Sequence, residues 1–403
     1  MGDIHIQQIS GPSIGELDVE IVERKGLGHP DSICDAVMES VSQALSHAYI
    51  EKWGRILHHN CDKGLLIAGQ VKRRLGGGKL VEPMQLIIGD RATEMVGHER
   101  LNIAEIAVES AKSWVRENLP RVDPSRHLQY HVELKPGSEE LTGLFLNGGR
   151  VLGANDTSAA VGYAPLTETE RLVLETERYL NSPVFKGRFP ESGEDVKVMG
   201  VRTKGHLDLT VAIPFLDQYI ETETKYFNLK EAAQSTLLSY LCRRLEKLEK
   251  ISVNLNSLDR RGAGLEGMYL SVLGTSAEDA DSGEVGRGNQ VNGLIALNRP
   301  RGSEAAAGKN PVSHVGKIYS LMSHLLAGRL HSQIPGLREV TVWLCSRIGA
   351  PIDQPLMVSV QVRLQQGITI ADVVTPIRGA VTEELERMPD FCQELALGRY
   401  PVC

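Results

Sequence analysis

Glu23-Arg24-Lys25-Gly26-Leu27-Gly28-His29-Pro30-Asp31 is the stretch from which the rest of the chain can be read. A flexible basic loop runs into a histidine, a proline and an aspartate, and an amphipathic segment begins at once. Proline suits the first helical position, because the donor it lacks would be unpaired there in any case. Ile33, Val37, Val41, Leu45 and Ala48 then recur at helical spacing until Gly54 ends the run. The positive end of that helix therefore lies beside His29 and Asp31, where phosphate or a metal-phosphate pair would be stabilised.

Working outward, the periodicity predicts six helices at roughly 31–52, 103–118, 166–181, 228–250, 311–331 and 376–388. Thr167-Glu168-Thr169-Glu170 forms a capping box for the third. Leu207–Val211, Val340–Leu344 and Val358–Leu364 alternate apolar and polar residues, as strands with one wet and one buried face do. The expected fold is α+β, with mainly antiparallel sheets covered by helices on one side. Two helices in each third of the chain suggest three similar α/β units, over about 1–130, 131–255 and 256–403, although no sequence motif repeats. Gly76-Gly77-Gly78-Lys79 reads as a mobile loop between strands and a candidate lid.

Composition narrows the function. The 403 residues are 41% hydrophobic and 24% charged, as in ordinary globular proteins, and the net charge of -7 argues against a general nucleic-acid binder. Six scattered cysteines without C-x-x-C spacing exclude the common zinc and redox signatures. No signal peptide or membrane span is visible, so a cytoplasmic location is expected.

Further segments carry chemistry. Asp281 to Gly293 holds four glycines around Arg287, whose guanidinium suits phosphate. Ala305 to Lys317 resembles a P-loop but departs from it at Ser303 and Asn310; Lys309 is the phosphate candidate, and Lys317 is expected on a solvated face. Asp195 and Lys197, two apart at a strand start, are expected on one face. Asn155-Asp156 reads as a turn with an acid that could be buried. His58 and His59, adjacent on a strand, should point to opposite faces.

Together these segments resemble the methionine adenosyltransferases (S-adenosylmethionine synthetases), in their archaeal-type branch. The motifs are V-E-R-K-G-x-G-H-P-D-S-I, A-N-D-T-S, G-E-D-V-K-V-M-G, G-T-S-A-E, V-G-R-G-N-Q-V-N-G-L-I and G-K-N-P-V-S-H-V-G-K-I-Y, in that order. The resemblance implies adenosyl transfer from ATP to L-methionine, followed by hydrolysis of bound tripolyphosphate. It also implies Mg²⁺ and K⁺, and a homodimer with active sites between subunits. By the same resemblance His29, Lys197, Arg287 and Lys309 are catalytic and Asp31 holds magnesium. Asp62, Gly137, Ser138, Glu140, Asn155, Asp156, Asp195 and Asp281 surround the substrates. The nucleotide loop departs from the branch at Pro136 and Glu140, Cys61 replaces a threonine, and Ser313 and Val315 stand where the bacterial form has lysine and aspartate. An Mg-dependent polyphosphate or nucleotide phosphohydrolase on the same scaffold is the alternative reading.

Overall fold

The computed structural model describes residues 3–138, 143, 145 and 151–402. Among them are eight helices: α1 (Pro30–Trp53), α2 (Ile103–Asn118), α3 (Glu168–Leu180), α4 (Pro183–Arg188), α5 (Glu223–Cys242), α6 (Val315–Gln333), α7 (Ile370–Glu386) and α8 (Met388–Ala396). Thirteen strands build three main sheets. They are β1 (Asp3–Gln8), β2 (Val19–Lys25), β3 (His59–Ile67), β4 (Met84–Ala92), β5 (Leu128–Lys135), β6 (Ala159–Ala164) and β7 (Lys197–Thr203). The rest are β8 (His206–Ala212), β9 (Lys250–Leu255), β10 (Gly283–Glu284), β11 (Ile295–Ala296), β12 (Leu337–Cys345) and β13 (Met357–Leu364).

The first sheet runs β10-β3-β4-β5, the second β9-β8-β7-β2-β11 and the third β1-β13-β12-β6. Each is built around an antiparallel hairpin, β3–β4, β7–β8 or β12–β13. Each adds one parallel strand outside the hairpin: β5 beside β4, β9 beside β8, and β1 beside β13. A helix precedes every hairpin (α1, α3, α6) and another follows it (α2, α5, α7). Three separate apolar cores result, one per sheet. The expected mainly antiparallel α+β plan is what the chain adopts.

The sheets exchange strands in a ring. The strand leading into α1, β2, pairs not with the first hairpin but with β7 of the second. The strand leading into α3, β6, pairs with β12 of the third. Finally β10, ahead of α6, returns to β3 of the first. This handover sets residues of distant sequence side by side; Lys25 and Lys197, for example, are register partners.

Local chemistry moved several boundaries. The predicted 228–250 helix is α5 at 223–242, because Thr222 caps it by accepting from the Lys225 amide. Leu245 and Leu248 lie beyond its end but still pack on the second core. The predicted 376–388 helix starts earlier, at 370, where Thr369 and Asp372 form a capping box, and Pro376 is carried inside it. Two short helices, α4 and α8, were not anticipated; each has proline in its first turn. The Gly76–Gly78 loop does join two short strands, yet it is tied down: Gly78 N donates to Asp217 Oδ2 at 2.7 Å and Gly76 N to Ile220 O at 2.9 Å. No described helix is long and apolar enough to cross a membrane.

Candidate active site

Close backbone packing assembles the site around the start of α1. A Cβ on Gly26 would lie 2.5 Å from Val196 O, and one on Gly28 2.5 Å from the Glu194 carbonyl carbon. Glycine at both positions lets the loop hydrogen-bond along the 194–196 backbone, Gly26 N to Val196 O at 2.6 Å and Gly28 N to Glu194 O at 3.0 Å. That contact brings Asp195 and Lys197 beside His29. On the other side, a Cβ on Gly283 would lie 2.1 Å from Pro30 O, so β10 seats directly on the helix start and carries Asp281 and Arg287 with it.

His29 is the N-cap of α1: the Asp31 amide donates to its Nδ1 at 3.2 Å. Nδ1 is thus an acceptor, and in the neutral ring the proton sits on Nε2. Burial pushes the His29 pKa down to about 4, with Asp31 opposing and Lys25 and Lys197 reinforcing the shift. Asp31 is almost enclosed, with Lys25 Nζ 2.9 Å from Oδ2 and the Glu284 amide 3.0 Å from Oδ1. Lys25 Nζ also donates to Arg287 O, and Asn289 brackets the Lys25 backbone from both sides. The Arg287 and Asp281 side chains are exposed.

Asp195 does not share a strand face with Lys197 as expected. It precedes β7 and turns inward to accept from Ser276 N at 2.7 Å and from Ser276 Oγ, while Lys197 stays half-exposed against Glu23 at 3.2 Å. Burial raises the Asp195 carboxyl to about 6.

A second group gathers elsewhere. Gly137, Ser138 and Asn155 line a cavity of about 440 Å³ together with His58, Asp90, Arg91 and His314. Beneath it Lys309, only 2% exposed, is ion-paired to Asp62 and lies 3.3 Å from Glu304. Although burial alone would raise the Asp62 carboxyl, Lys309 holds it down at about 2. His58 and His59 do diverge: His59 bonds Ser42 and Leu57 O in the core, whereas His58 packs edge-on against Phe145. His314 caps α6 as His29 caps α1, and burial, aided by Lys309, lowers its pKa to about 3.

Three expectations fare differently. Asp156 is exposed, its carboxylate accepting from the Thr157 amide at 2.7 Å, so it is a turn acid and not a buried one. Lys317 is not on a solvated face; it is 1% exposed and 2.6 Å from Glu39, because α6 is enclosed on nearly every side. Glu140 lies outside the described residues. Sequence reading missed Lys25, Asp35 and Glu39. The last two fall one and two turns after Asp31 and are buried on the same helix, and acids at that spacing were the available signal.

No group of three or more metal-ligating side chains occurs among the described residues. The oxygen donors at Asp31 and Asp281 nevertheless fit magnesium, which takes one or two carboxylates and completes its shell with water and substrate phosphate.

The family profile for S-adenosylmethionine synthetase (AdoMet synthetase) matches residues 2–399. This chain belongs to the S-adenosylmethionine synthetase family. Among its relatives, an S-adenosylmethionine synthase of Aeropyrum pernix is 44% identical over 400 residues, covering 98% of both chains. One from Methanothermobacter thermautotrophicus is 39% identical over 399 residues, with 99% of each covered. The fold is similar to that of an S-adenosylmethionine synthetase from Campylobacter jejuni, at TM-score 0.60 and 15% identity, covering 93% of each chain.

Proposed function

We infer that this protein makes S-adenosylmethionine: methionine sulfur attacks the ribose C5′ of ATP, tripolyphosphate leaves, and the bound tripolyphosphate is then hydrolysed to pyrophosphate and phosphate. The observation that supports this reading is the gathering of Asp31, Lys197 and Asp281 around His29, with Asp195 beside Lys197 and Asp281 and the Arg287 carbonyl bonded to Lys25, within a chain whose full-length relatives are S-adenosylmethionine synthases. No feature of the described site favours the phosphohydrolase alternative.

The chemistry needs little from the protein at sulfur, since a thioether has no proton to lose. The barrier lies in negative charge growing on the departing oxygen, which fixed donors and cations stabilise. A neutral His29, presenting Nε2–H, donates a hydrogen bond to that oxygen. Lys197 and Arg287 face the phosphates, and the α1 N-terminus adds its dipole. Asp31 would hold magnesium, which when bound would supply positive charge against the polyphosphate. In this proposal Asp195 and Asp281 serve the methionine ammonium, the nucleoside or the metal, and K⁺ is a further requirement.

The cavity lined by Gly137, Ser138 and Asn155, with Lys309 beneath it, is supplied in this proposal by a second copy of the chain. Each active site of the homodimer then joins the His29 centre of one subunit to the cavity of its partner. Such an enzyme would work in the cytoplasm on ATP and L-methionine. The deciding assay gives purified protein ATP, Mg²⁺ and K⁺ with and without methionine and follows sulfonium, pyrophosphate and phosphate. Methionine-dependent sulfonium is expected; phosphate release with no sulfonium would overturn the reading.

A further inference from the structure

Arg287 is exposed on a glycine loop, and something must hold that loop against α1. Asp35, one turn beyond Asp31 and 3% exposed, does so. Its Oδ1 accepts from Gly286 N at 2.8 Å, and the Gly288 amide also stabilises the carboxylate. A Cβ on Gly288 would lie 2.1 Å from Asp35 Oδ2, so only glycine allows the approach. Gly286 sits at φ 86, in the left-handed region. The two amides gripped by Asp35 therefore flank Arg287.

No described Lys or Arg forms an ion pair with Asp35, and burial raises its carboxyl to about 7. A buried carboxylate without a counterion is costly, and an apolar residue would pack into α1 without that cost. The neighbouring acids behave alike: Asp31 accepts from Glu284 N, and Glu39 accepts from Gly308 N at 3.1 Å, beside Lys309. One acidic stripe thus fastens successive loops to the helix that carries His29.

We propose that Asp35 is a positioning residue for the reaction, acting on bound polyphosphate only through Arg287, whose loop it fixes against α1. This rests on the phosphate-facing role given to Arg287 above. The experiment is a double-mutant cycle with Asp35→Ala and Arg287→Ala, read both as S-adenosylmethionine formation and as hydrolysis of added tripolyphosphate. Arg287→Ala should lower kcat by about 100-fold, and Asp35→Ala by about 10-fold with a raised KM for tripolyphosphate. The double variant should be no worse than Arg287→Ala alone. Asp35→Asn, which keeps one acceptor and the side-chain volume, should fall between wild type and Asp35→Ala, and its cycle with Arg287→Ala should be equally non-multiplicative. Thermal unfolding of each variant shows whether it is folded; should Asp35→Ala fail to fold, the Asp35→Asn cycle decides. Multiplicative losses in the folded variants would overturn the proposal. A wild type that hydrolyses tripolyphosphate but forms no sulfonium would instead defeat the functional reading, while the cycle remained readable in the hydrolysis step.

Discussion

His29 illustrates how a helix cap and a proposed catalytic donor can be one group. Burial keeps the ring neutral, and because Nδ1 accepts from the Asp31 amide the proton sits on Nε2. Asparagine is a good N-cap and would preserve α1, but it is shorter and presents no ring N–H. His29→Asn should therefore reduce sulfonium formation by about 100-fold or more while tripolyphosphate hydrolysis persists; parallel product assays check this, and equal losses would remove the separate role of His29. Asp195 makes a different test. Its folded pKa of about 6 lies above the ordinary value of 3.8, so the folded state binds more protons between those values. Its contribution is favourable below the lower value and is lost as pH rises toward 6. Asp195→Asn, which can still accept from Ser276, should then raise stability at pH 8 by up to roughly 3 kcal/mol, with little gain at pH 4. Denaturant titrations at the two pH values measure it, and a variant less stable at pH 8 would contradict the assignment.

At the scale of elements, the site depends on loops that pack backbone to backbone. A methyl group on Gly28 has no room beside the Glu194–Asp195 peptide, so Gly28→Ala must push β2 and the start of α1 away from β7. Activity should fall by at least about 10-fold with an unfolding cost of roughly 1–3 kcal/mol; a variant of unchanged kcat would show that this packing does not set the site. Much of this level was legible beforehand. The α1 and α2 periods, the α3 capping box and the strands at 207–211, 340–344 and 358–364 were all readable, because local patterning and burial agree there. Reading failed where tertiary context prevailed. Pro376 looked like a helix start but lies inside α7, and Lys317 looked like solvated surface but is buried against Glu39. The glycines at 26, 28 and 283 were visible, but what each approaches was not, since their partners lie far along the chain. The spacing of Asp35 after Asp31 was visible, but its partners are backbone amides of a loop far along the chain, which the sequence does not identify.

At the scale of the molecule, the residues assigned to catalysis fall into two groups in one chain. One surrounds His29 and the other the cavity at Asn155 and His314. If each active site draws one group from each subunit, two differently damaged chains can complement one another. Equal mixing of His29→Asn and Asn155→Ala chains, each inactive alone, should place one intact site in half of the dimers. About a quarter of wild-type activity is then expected after unfolding and refolding the mixture together. Light scattering should report a dimer, and absence of any recovery despite heterodimer formation would confine each site to a single chain.

The pairing of Asp3 with Met357 has a consequence for how the polypeptide is made. During synthesis β1 must stay unpaired until the chain has been extended through Met357–Leu364, because β13 is its neighbour. Until then β1 is an exposed edge, open to association with other nascent chains. The third sheet should therefore close late, and chaperone dependence during synthesis should concentrate there.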